Sequence, residues 1–83
     1  MKTINLSALQ SDIRENELEI TVNYTPKRVK LTDYVTAKTK ALQQFGYTDI
    51  ESKEVKEQIV KISNGDELNV IGMMIEGDLN YTF

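Results

Sequence analysis

From position 31 to 45 the apolar residues Leu31, Tyr34, Val35, Ala41, Leu42 and Phe45, with the stem of Lys38 among them, recur at the spacing of a single helix face. A helix that apolar along one side is marginal alone in water, so any fold this chain adopts must lay other elements across the stripe. Thr32 or Asp33 can accept a hydrogen bond from an amide of the first turn, and Gly46 suits the reversal after the last. The spacing predicts a helix over 32–45.

A second helix is expected over 51–63. Thr48 with Glu51 fits a reciprocal capping box, Ser52 is the alternative cap, Val55, Ile59 and Ile62 mark the buried face, and Asn64-Gly65 supplies the stop. Leu6, Leu9 and Ile13 point to a shorter helix over 6–15 ending near Asn16, in preference to a strand at 3–6. Leu18, Ile20, Val22 and Tyr24 alternate with polar residues, the period of a strand over 18–24 with one buried face. Pro26 cannot donate to a ladder and is expected to end that strand near Tyr24 or Thr25, with only a brief extended piece at Val29 and Leu31. The tail admits two readings. Its β-branched residues and two glycines favour strands at 67–75 and 79–83, joined by a Glu76-Gly77-Asp78 turn; the alternative is a helix over 67–76 capped by Asp66, with Leu68, Ile71 and Ile75 inward. The fold class expected is α+β: a small single-layer antiparallel sheet packed against two to three helices.

With 83 residues there is room for one core, and a single domain over 1–83 is expected. The chain has no cysteine and no histidine, so a disulfide staple is excluded and the usual soft and borderline metal ligands are missing. No apolar stretch reaches membrane-spanning length, and polar Ser7, Gln10, Ser11 and Asp12 interrupt the first residues before a signal-peptide core can form. A cytoplasmic protein without membrane attachment is the expectation. Asn-x-Ser/Thr triplets at Asn5, Asn23 and Asn80 are those a chain rich in these residues produces by chance.

Without histidine and cysteine the commonest general base and the strongest neutral-pH nucleophile are absent. The remaining carboxylates fall chiefly on outer helix faces and caps. Asn64-Gly65-Asp66-Glu67 begins like a calcium loop, but Leu68 and Val70 occupy the next ligand positions, and neither phosphate-cradling glycine pattern occurs. The chain is therefore read as a non-enzyme with no catalytic residue, no cofactor and no metal.

Charge is unevenly spread. Lys27, Arg28, Lys30, Lys38 and Lys40 face only Asp33 between positions 24 and 47, whereas Lys53, Lys56 and Lys61 face eight acids between 48 and 83, a net charge of −5 there. The basic group is the candidate nucleic-acid surface of a small dimeric DNA-binding regulator. Against it, the second helix carries Glu54 and Glu57 where base-reading side chains would be needed. The leading expectation is a protein-interaction or regulatory module. Ile71, Met73, Met74, Tyr81 and Phe83 offer adaptable and aromatic side chains as an interface with a second copy, giving a homodimer, or with a larger protein partner steered by the acidic half.

Overall fold

A computed structural model describes residues 5–81. Its elements are α1 (Leu6–Arg14), β1 (Glu17–Val22), β2 (Thr25–Lys30), α2 (Leu31–Phe45), α3 (Ser52–Asn64) and α4 (Val70–Asp78). The architecture is α+β: a two-stranded antiparallel sheet packed against these helices. α3 lies at the centre and touches α1, α2 and α4. Its Val55, Ile59 and Ile62 enter one core with Leu9 of α1, Leu18 of β1, Leu31, Tyr34, Val35 and Leu42 of α2, and Ile75 of α4.

The hairpin departs from the pattern expected of it. A strand over 18–24 that turns Tyr24 inward is not what forms: β1 ends at Val22, Asn23 and Tyr24 make the turn at φ 51° and 64°, and Tyr24 is fully exposed at 101%. Two consecutive left-handed residues are the mark of the two-residue turn whose twist matches paired strands. Pro26 does not end the pairing. It sits inside β2 opposite Thr21, two positions along from the Glu19–Arg28 pair. Glu19 turns its N–H and C=O away from β2, toward Tyr81 and Asn80, so Glu19 and Thr21 belong to the pairs that exchange no ladder bonds. A proline opposite Thr21 therefore forfeits nothing.

Tyrosine at the second turn position is unfavourable, because its Cβ crowds the following carbonyl at positive φ and glycine is the preferred residue there. Tyr24→Gly is expected to raise stability by about 0.5–1 kcal/mol, read as a higher urea midpoint with unchanged slope.

Helix caps also differ from expectation. α2 is not capped by Thr32 or Asp33; Lys30 is its N-cap residue and makes no side-chain cap bond. Asn16, left-handed at φ 57° between α1 and β1, does that work from a distance: its carbonyl accepts from Leu31 N–H at 2.9 Å and its Oδ1 from Thr32 N–H at 3.3 Å. α3 uses neither Thr48 nor Ser52 but Glu51 as its N-cap residue, again without a side-chain bond, and Gly65 closes it in the left-handed conformation. Within α2, Thr39 is buried and turns its hydroxyl back to Val35 O at 2.7 Å, whereas Phe45, expected on the inner stripe, is 73% exposed.

The strands expected at 67–75 and 79–83 are the largest correction. Residues 70–78 form α4, close to the helical alternative at 67–76, but the cap is Asn69, whose Oδ1 accepts from Gly72 N–H at 2.9 Å, and not Asp66. Gly72 is one of the two tail glycines that favour strands in the sequence. A Cβ at that position would lie 2.6 Å from Gln58 Oε1 and 3.0 Å from Leu68 Cβ, so its missing side chain lets α4 approach α3 closely. What remains of the second strand is an antiparallel bridge between Leu79 and Ile20, with Asn80 N–H donating to Glu19 O at 2.9 Å; residues 82–83 lie outside the described part.

Candidate functional site

Two of the five basic candidates are engaged by carboxylates. Arg28, on the face of the hairpin that also carries Glu17 and Glu19, donates through Nη2 to Asp12 Oδ1 at 3.0 Å and to Glu17 Oε1 at 2.7 Å, and its Nη1 lies 3.5 Å from Glu19 Oε2. Hydrogen bonding to Asp12 and then Glu17 raises its already high pKa. The same cluster holds the chain's last described residues. Tyr81 donates its phenol proton to Asp12 Oδ2 at 2.9 Å and accepts from Glu19 N–H at 2.9 Å, and Asn80 Nδ2 donates to Glu19 Oε1 at 2.6 Å.

Lys38 is the second. Its ammonium reaches Asp78 Oδ2 at 2.8 Å, and the buried Tyr34 donates to the same oxygen at 2.6 Å. Asp78 stands at the C-terminal end of α4, where a carboxylate opposes the helix dipole; Lys38 offsets that repulsion and ties α2 to α4. Burial, and then the neighbouring Asp78, pushes the Tyr34 phenol well above its usual range; Tyr81 is pushed up in the same direction by burial and by Asp12.

Lys27, Lys30 and Lys40 are exposed, but Lys27 pairs with Ile20 and Lys30 with Glu17, positions on opposite faces of the hairpin. The five basic residues are thus not gathered into one free surface.

The apolar candidates divide as well. Tyr81 is 5% exposed and belongs to the core, Ile71 and Met74 are half-buried against it, and Phe83 lies outside the described residues. Met73 is 54% exposed and stands one helical turn from Val70, which is 56% exposed. Phe45 and Tyr47, which sequence reasoning did not place at a site, are exposed as well. Phe45 stacks on Tyr47 with ring centroids 6.3 Å apart, and Tyr47 lines an open cleft with Ile50 and Ile71, bordered by Asp49 and Glu54. The α2–α3 connection and the first turn of α4 therefore present aromatic and aliphatic side chains side by side with an acidic border. The only sequence signal for it was Phe45 directly before the helix-ending Gly46, where a turning chain leaves the last stripe position uncovered.

No group of three or more His, Cys, Asp or Glu among the described residues is placed to hold a metal ion, and no helix among them is long and apolar enough to cross a membrane. No protein-family model, curated protein or solved structure matches the chain.

Proposed function

We propose that this domain works by binding and not by catalysis, and that the face built from Phe45, Tyr47, Val70 and Met73 receives a basic, amphipathic segment of a larger protein. The observation that carries this reading is the exposed Phe45–Tyr47 pair beside a cleft that Tyr47, Ile50 and Ile71 line and Asp49 and Glu54 border, with Val70 and Met73 exposed on the helix that supplies Ile71. Rigid aromatics and a pliable methionine are the residue types that anchor protein contacts. The net −5 of residues 48–83 adds long-range attraction for a basic partner. A second copy of this chain would bring the same acids to the border and meet repulsion.

A DNA-binding regulator using residues 27–40 is less well supported, because Arg28 and Lys38 are already neutralised within the fold. Against mixed DNA and RNA at low salt, a gel shift is expected to show no retention that depends on Lys27, Lys30 and Lys40.

The test of the leading reading starts from a protein that the immobilised chain retains from its source cells. Replacing Phe45 and Met73 together by serine should weaken that complex at least about tenfold while leaving the thermal midpoint nearly unchanged, since both side chains are mainly solvent-facing. Reversing Asp49, Glu51 and Glu54 to lysine should slow association about tenfold at low salt, with the rates converging at high salt. An affinity unmoved by the first change together with an association rate unmoved by the second would remove the proposal.

A further inference from the structure

The hairpin tip carries a second, separate surface. Residues 21–28 are all exposed, and among them Tyr24 packs against none of the described residues while holding a backbone conformation that costs a tyrosine and suits a glycine. Val22, at 42% exposure, shares a face with Thr25 and Lys27, and the Thr25 hydroxyl donates to Asn23 O at 3.3 Å across the turn. Pro26 restricts the returning strand. This is a stiffened projection ending in an aromatic ring. Its one cation outside the Arg28 cluster, Lys27, lies near the tip with no carboxylate among the described residues paired to it.

We infer that the tip is a recognition finger. Tyr24 inserts into a concave, largely apolar pocket of a folded protein partner that offers an acceptor to the phenol, and carboxylates at the pocket mouth receive Lys27. A turn fixed before binding loses little freedom on docking, and a two-torsion aromatic brings contact area at small entropic cost. The strain at Tyr24 and its lack of a contact among the described residues then have one explanation: the side chain is kept for the surface of a partner. This surface is independent of the face around Phe45 and Met73, and either can fail without the other.

The full-length chain with Tyr24→p-benzoylphenylalanine, irradiated in its source cells, is expected to give a discrete protein adduct heavier than two copies of the chain. Excess unlabelled wild-type chain should suppress that adduct, and so should chain carrying Phe45→Ser and Met73→Ser. Chain carrying Tyr24→Gly, which folds at least as well, should compete at least about tenfold more weakly, and Lys27→Glu should behave likewise. Four outcomes overturn the inference: no discrete adduct, an adduct of twice the chain mass, an adduct removed by nuclease, or equal competition by Tyr24→Gly and wild type.

Discussion

Between about pH 9 and pH 11.5 the protein is expected to lose about 4 kcal/mol of stability, most of it through two phenols. Tyr34 is 7% exposed and donates to Asp78 at 2.6 Å; Tyr81 is 5% exposed and donates to Asp12 at 2.9 Å. Ionising either would put a buried negative charge against a carboxylate, so the folded state keeps both protons while an unfolded tyrosine releases its own near pH ~10. Above that pH the unfolded chain binds fewer protons than the native one. Stability is therefore complete below about pH 10 and falls by about 1.4 kcal/mol per pH unit for each tyrosine as the pH rises further. Urea unfolding followed by circular dichroism across this range reads the slope. In a Tyr34→Phe, Tyr81→Phe chain the slope should flatten, even though the neutral-pH stability starts lower by about 2–3 kcal/mol, chiefly because Glu19 N–H and the two carboxylates lose a partner. A slope unchanged by the double substitution would show that the two phenols are not held as described.

Ile59→Ala is expected to cost about 4 kcal/mol. Ile59 has no exposed surface, and it sits on the helix that α1, α2 and α4 all pack against. Removing its outer carbons opens a space bounded by helices that cannot all move inward together, so the lost apolar transfer is compounded by lost packing. For a domain of 83 residues, whose whole stability is about 4–12 kcal/mol, this is about a third of it to all of it. The midpoint of thermal unfolding should fall by about 16–32 °C. One position along, Val60→Ala should change stability by no more than about 0.5 kcal/mol, because Val60 is on the outer face at 39% exposure. Equal effects at the two positions would mean that the face of α3 assigned to the core is wrong.

The helices around Leu42 and Ile59 were legible because their information is periodic and local: a stripe repeats within a single element and Gly46 or Gly65 closes it. The hairpin was not. Its turn is Asn23-Tyr24 where the familiar signal is asparagine followed by glycine, and Pro26 is harmless only because of a pairing class that a sequence does not print. The tail misled for a related reason. Gly72 lowers helix propensity locally and is required tertiarily, against Gln58 and Leu68, so the packing overrode the propensity. At the candidate site, Arg28 and Lys38 read as free cations because their partners lie far along the chain, Asp12 sixteen residues before one and Asp78 forty residues after the other. Phe45 continued the inward stripe by spacing alone, whereas the helix ends there and its ring turns to Tyr47.

The clasp of Tyr81 on Asp12 and Glu19 also bears on how the chain is made. Synthesis runs from the amino end, and most elements emerge long before the residues that complete them: Ile75, Leu79 and Tyr81 close a core begun by Leu9 and Leu18. A nascent chain halted on the ribosome before position 81 clears the exit tunnel therefore lacks the bridge from Leu79 to Ile20 and the bonds of Asn80 and Tyr81 to Glu19 and Asp12. Completion of this core therefore waits on the emergence of residues 75–81, and until then the apolar side chains they contact stay open to other partners.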